Sequence, residues 1–225
     1  MMTSGIAIRT ADSARAARSV GWVPFAVYLS IVGGCATWGA VQYLGGRSQV
    51  AAYMLGGFCL MVATVGFALA PNCRRVLMAQ LRVTGFGHRA AWVGLALVPL
   101  FVGLNYAYTN LLIGGVFGEY FTIATDNTAV RMQLKLVLLA AVLPAIVEEV
   151  AFRGLVQEHL AKGMRAAKAI ALTAMVFALA HYAVMSIPYL FLFGCVLGWM
   201  RWKTGSLYPP IAAHVAHNLL VLWWI

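Results

Sequence analysis

Long apolar runs, separated by short intervals that carry arginine and lysine, set the pattern of this chain. Crossing the hydrocarbon core of a bilayer takes about 20 residues in a helix. Seven runs approach or reach that length, near Trp22 to Leu44, Val50 to Ala70, Ala91 to Ile113, Met132 to Phe152, Ala166 to Met185, Ile187 to Trp202 and Ser206 to Ile225. The sixth is short and meets the fifth at Ser186-Ile187-Pro188, which predicts a tight hairpin or a partly re-entrant pair. The pattern therefore predicts an all-α fold, a polytopic transmembrane helix bundle of about seven spans within a range of six to eight.

Composition strengthens this reading. The 225 residues are 63% hydrophobic and 10% charged, against about 25% charged in an ordinary soluble domain, so too few polar residues exist to cover a water-facing surface. Lysine and arginine number 16 against 6 acids, and their placement is a topology signal, because cytoplasmic loops collect cations. With the N-terminus inside, the inner segments hold Arg9, Arg15, Arg18, Arg74, Arg75, Arg82, Arg89, Arg153, Lys162, Arg165, Lys168, Arg201 and Lys203. The outer side receives Arg47, Arg131 and Lys135 with the loop acids Glu119 and Asp126. The expectation is an integral protein of a bacterial inner (cell) membrane, with a cytoplasmic N-terminus and the C-terminus outside.

Residues 1–20 form a basic cytoplasmic segment and 21–225 a single membrane domain. The first apolar run reads as a retained signal anchor, and residues 114–131 as an outer loop that caps the bundle. The cations interrupt apolar runs instead of lining a polar helix face, so nucleic acid is not an expected partner. Cys35, Cys59, Cys73 and Cys195 show no CxxC spacing, which predicts free thiols and no zinc ribbon.

Ionisable groups inside the spans carry the chemical information, since a charge at mid-bilayer costs on the order of 2.5–3.5 kcal/mol. The fourth run ends with Glu148, Glu149 and Arg153, the fifth contains Phe177 and His181, and the seventh contains His214, His217 and Asn218. Helical spacing puts Glu149 and Arg153 on one face as an ion pair and turns Glu148 about 100° away. His214 and Asn218, also four apart, would aim two donors into one cavity. At 1.5 Å per residue, Glu148 and His181 fall at depths that differ by about 10 Å, close enough for convergence given helix tilt. A carboxylate in an apolar pocket suits a general base. An imidazole beside it could hold a water, and a His/Asn pair could stabilise an oxyanion.

These residues resemble the motifs of the CPBP intramembrane proteases, which include the CAAX prenyl endopeptidases and abortive-infection relatives: EExxxR at Glu148, Glu149 and Arg153, FxxxH at Phe177 and His181, and HxxxN at His214 and Asn218. The flanking Phe152-Arg153-Gly154 and Thr204-Gly205-Ser206-Leu207-Tyr208-Pro209-Pro210 are similar to the family too. The resemblance covers about Leu134 to Trp223, within a protease-like core at about 132–225. It implies an intramembrane endopeptidase of the glutamate type acting on a membrane-associated protein or peptide. Glu148, His181, His214 and Asn218 would be catalytic, with Glu149, Arg153 and Phe177 supporting them. It requires no cofactor, although Glu148, His181 and His214 form a donor set that a divalent metal such as zinc accepts.

Two other functions fit buried Glu and His: a transporter or proton-coupled carrier, and an inactive peptide-binding or immunity protein. The first would carry an inverted repeat, which the chain lacks. Intact motifs disfavour the second. His217 is expected to face a neighbouring helix and His88, Glu158 and His159 to lie in solvated inner segments, while Pro144 is expected to kink the helix before Glu148.

Overall fold

A computed structural model describes residues 59–67, 70–108, 110, 141–181 and 186–224. The basic N-terminal segment, the first span, most of the second and the 114–131 loop lie outside the described residues. Those described are helical without strands: a helical run over 59–67, then α1 (Pro71–Leu81), α2 (Arg89–Ala107), α3, α4 (Ala166–Leu179), α5 (Ile187–Thr204) and α6 (Tyr208–Trp224). Helix α3 comprises an α-helical Leu143–Glu148, a π-helical Glu149–Gln157 and a closing turn, Glu158–Leu160.

Local chemistry sets the boundaries. Pro71, Pro144 and Pro188 stand in the first turns of their helices, where a missing N–H is no loss. The imidazole of His88 accepts from Ala90 N–H at 3.0 Å and caps α2, and Gly205, at φ 66°, closes α5 in the left-handed conformation. The predicted fifth run to Met185 is cut short, because α4 ends at Leu179. The reason lies in His181. Its Nδ1 donates to Phe177 O at 2.8 Å, taking the carbonyl that its own backbone N–H would use in a continuing helix, and that N–H turns instead to Ala178 O.

Helices α4 and α5 pack along each other as a helical hairpin, α5 and α6 both pack on α2, and α3 lies against α1, α4 and α5. Among the described residues one helix, α2, is both long and apolar enough to cross a membrane, so the expected seven spans are matched only in part. The nominal α5 and α6 spans fall at the limit in length, with 18 and 17 residues, and α5 also carries Arg201 and Lys203. The distribution of side chains is inverted relative to a water-soluble domain: Trp92, Leu100, Leu179, Leu192 and Trp202 are more than half exposed, whereas Glu149, Arg153, His214 and His217 are buried. Cys59, Cys73 and Cys195 are free thiols.

The α3–α5 contact is a polar ladder on a glycine face. Arg153 Nη2 donates to Gly194 O at 3.1 Å and Gln157 Nε2 to Gly198 O at 2.9 Å. One turn further, Arg201 pairs with Glu158 at 2.9 Å. Glycine at 198 makes this approach possible, and glycine at 194 allows α4 to come equally close to α5. A Cβ on Gly194 would lie 3.2 Å from the Cα of Ala174, and one on Gly198 would lie 2.7 Å from Gln157 Oε1. Gly194→Ala must therefore push α4 from α5 and is expected to cost about 1–3 kcal/mol, read as a lowered melting temperature in detergent; an unchanged melt would contradict this packing.

Two expectations for the inner segment are corrected. Glu158 is partly buried and paired with Arg201 instead of being a free surface charge. His159 is buried, not solvated, and desolvation, helped by nearby Lys162, pushes its pKa down from 6.5 to about 4. Between those values the unfolded chain binds the extra proton and the folded one does not, so stability falls as pH drops from about 6.5 towards 4. His159→Gln should flatten that part of the melting-temperature profile; an equally steep profile in the variant would refute the assignment.

Candidate active site

Helix α3 changes character between the two adjacent glutamates. Glu148 is the last residue of its α-helical part and Glu149 the first of its π-helical part, and π-helical stretches are rare and occur often at functional sites. The two carboxylates diverge onto different partners and meet again at one imidazole, that of His214 on α6.

Glu149 belongs to the sealed half of the site. Its side chain and that of Arg153 are both 0% exposed, and Arg153 Nη1 donates to Glu149 Oε1 at 2.7 Å. The guanidinium also bonds Gly194 O at 3.1 Å and lies 4.5 Å from the centroid of the Phe177 ring. The same Oε1 accepts from His214 Nδ1 at 2.9 Å. A carboxylate only accepts, so this bond places the proton of neutral His214 on Nδ1 and turns Nε2 outward.

Glu148 occupies the reachable half. Its Oε2 lies 3.7 Å from His181 Nε2 and 3.8 Å from His214 Nε2, with side-chain exposures of 18% for Glu148 and 26% for His181. Because His181 Nδ1 donates to Phe177 O, its Nε2 too is the nitrogen left for the site. Two imidazoles, each locked through Nδ1, thus present Nε2 to one carboxylate oxygen. At these separations there is no direct hydrogen bond, and the distances suit groups joined through one water. Sequence-derived depths that differ by about 10 Å have become contact: the helix end at Leu179 and the π-helical stretch adjust the two elements in ways that a uniform rise does not represent.

Phe177 holds the rings in place. It meets His181 edge-on at 4.6 Å, His214 at 5.8 Å and Phe152 at 5.4 Å between centroids. The four-residue spacing of Phe177 and His181 thereby has two functions, the carbonyl that fixes the tautomer and the ring that packs the imidazole.

Asn218 differs from expectation. It lies one turn beyond His214, but its Nδ2 donates to Ala141 O at 3.4 Å and its Oδ1 accepts from His217 Nδ1 at 3.2 Å. Among the described residues no hydrogen bond joins it to Glu148, His181 or His214. His214 and Asn218 share a face of α6 as expected, and the carbonyl of Ala141 at the start of the α3 run takes one of the two hydrogens of the Asn218 amide. His217, expected to face a neighbouring helix, faces α5: it is buried, bonded to the Tyr189 hydroxyl and packed on Phe193 at 4.4 Å. Tyr189, Phe193 and Gly194 were not legible as site neighbours from single motifs, although Gly194 and Gly198 form a GxxxG pair that marks close helix approach.

Glu148 Oε2 stands further from both imidazoles than zinc ligands stand from one another. Bonds of about 2.0–2.1 Å in a tetrahedral site put neighbouring ligand atoms roughly 3.3 Å apart, less than the 3.7 and 3.8 Å between Glu148 Oε2 and the two nitrogens. No group of three such side chains close enough to hold a metal occurs among the described residues.

Residues 130–220 match a family model described as type II CAAX prenyl endopeptidase Rce1-like. That segment includes every residue of the constellation. No curated protein and no solved structure matches the chain.

Proposed function

We propose that this chain, residues 130–220 of which match the Rce1-like type II CAAX prenyl endopeptidase model, is a CPBP-type membrane protease that hydrolyses a peptide bond of a membrane-associated protein or peptide with Glu148 as general base. The observation that carries this reading is the convergence of His181 Nε2 and His214 Nε2 on Glu148 Oε2, with both Nδ1 atoms tied elsewhere. A water donating to Glu148 and to His181 Nε2 would turn an oxygen lone pair towards a substrate carbonyl. Glu148 takes the water proton as the C–O bond forms, and the carbonyl oxygen becomes an oxyanion. Asn218, donating through Nδ2, and His214, donating through Nε2 when it enters the reaction as an imidazolium with its second proton taken from bulk water and keeps both protons throughout, stabilise that charge. Collapse breaks the C–N bond, and Glu148 returns the proton to the leaving amine. Glu149 and Arg153 neutralise each other and fix the ring of His214. No metal enters these steps.

The surrounding solvent in this reading is lipid. Helix α2, with 19 residues, is about 28 Å long, close to the roughly 30 Å hydrocarbon core, and apolar side chains on α2, α4 and α5 face outward. We read the chain as a polytopic bundle of about seven spans in a bacterial cell membrane, with a cytoplasmic N-terminus.

The test uses purified protein in liposomes with two probes, a farnesylated CAAX peptide and an unmodified transmembrane peptide, and mass spectrometry of new termini. Cleavage of either that persists in EDTA is the expected result. Cleavage lost with EDTA and restored by zinc would overturn the metal-free mechanism, and no cleavage of any membrane peptide accompanied by proton or solute flux would overturn the protease reading.

A further inference from the structure

A second polar chain runs through the apolar core behind the catalytic constellation. Around it lie Val98, Phe101, Phe193, Leu197, Met200 and Ala213, all buried. Within that cluster sit Tyr189 and His217, both 7% exposed, with their polar atoms directed at one another and at Asn218. Polar groups in such surroundings cost free energy unless each is satisfied, and here the bonds form one directed series.

The direction of the series is fixed from its far end. A backbone carbonyl only accepts, so the group of Asn218 facing Ala141 O must be the amide nitrogen. Oδ1 then faces His217, which must donate from Nδ1. Neutral His217 is left with an accepting Nε2, and the Tyr189 hydroxyl donates to it. Each donor has one acceptor along the route Tyr189, His217, Asn218, Ala141. The ring of His217 is held against Phe193, which also meets His214 edge-on at 5.6 Å.

We infer that Tyr189 and His217 are positioning residues that fix the orientation of the Asn218 amide, keeping Nδ2 as the donor that a developing oxyanion meets. The inference rests on the assignment of Asn218 as an oxyanion donor. Without His217, the amide is held only by the 3.4 Å bond to Ala141 O and can swing Nδ2 away from the charge it should stabilise. Ala141 O holds one Nδ2 hydrogen, and the second is the one available to substrate.

Two measurements on the full-length protein in detergent test this. In the cleavage assay, loss of one oxyanion donor lowers kcat about 10²–10³-fold. His217→Leu should approach the loss of Asn218→Ala with KM changed less than about threefold. His217→Asn, which keeps a donor at the Nδ1 position, should recover most of kcat, and His217→Leu combined with Asn218→Ala should be no worse than Asn218→Ala alone. An unaltered kcat in His217→Leu, or losses that multiply in the double variant, would overturn the inference. The second readout needs no substrate: ¹⁵N-histidine NMR should show neutral His217 protonated on Nδ1 and changed in Tyr189→Phe. The Nε2-protonated tautomer would overturn the inference while leaving Glu148 catalysis intact; full cleavage by Glu148→Gln would instead overturn the protease mechanism, with the tautomer still deciding the amide orientation.

Discussion

Glu148→Gln is expected to lower kcat/KM for membrane-peptide cleavage by about 10²–10⁴-fold, the range associated with general acid–base catalysis, and to leave the melting temperature within a few degrees. Glutamine keeps the volume and the hydrogen-bonding reach of glutamate but takes no proton from water and returns none to an amine. The fold tolerates the change because Glu148 Oε2 makes no direct hydrogen bond among the described residues and the side chain is 18% exposed. Structural connections of the constellation pass through Glu149. A Glu148→Gln protein that folds and cleaves at the wild-type rate would contradict the role assigned to this carboxylate.

Arg153→Leu has a comparably large effect on a different property, the fold. It removes the cation from a pair in which both side chains are 0% exposed and leaves the buried Glu149 without that partner. Breaking one partner of such a pair typically costs 3–5 kcal/mol. The variant also loses the bond to Gly194 O and the contact with Phe177. The single variant should therefore melt far below wild type or fail to accumulate. Removing both charges together is less damaging, since buried ion pairs replaced by apolar residues are often close to neutral in stability. Glu149→Leu with Arg153→Leu should consequently recover much of the melting temperature. Activity should not return, because His214 loses the acceptor that holds Nδ1 at 2.9 Å. Recovery of both stability and activity in the double variant would show that the Glu149–His214 bond has no part in the chemistry.

Which parts of this arrangement were legible beforehand follows from the range of each interaction. The Glu149–Arg153 pair lies within one helix, and four-residue spacing puts both groups on the same face of α3. The motif residues Glu148, His181 and His214 could be named for their chemistry and cost in an apolar span, and their convergence expected within helix tilt, but not the closeness of the approach, because that depends on where α4 ends. That end is set by a side chain, His181, competing for a carbonyl, an effect that hydropathy does not register. The π-helical Glu149–Gln157 was equally hidden, because it shifts the bonding pattern without altering the apolar pattern. His159 looked solvated because it follows Glu158 and precedes Lys162, yet the α3 turn buries it. Asn218 shows the opposite limit. Its helix face was readable from a spacing of four, whereas the partner of its amide, Ala141, is 77 residues away. Tyr189 and His217 depend on the same kind of long-range contact, 28 residues apart between α5 and α6.

The central claim is that Glu148 activates water for cleavage of a membrane peptide. Its most direct test compares the peptides of membranes that contain either the wild-type protein or Glu148→Gln at matched abundance, by mass spectrometry of their termini. Termini generated by hydrolysis next to an apolar or lipid-modified segment should be present with the wild-type protein and absent with Glu148→Gln. The same termini at the same abundance in both samples would contradict the account.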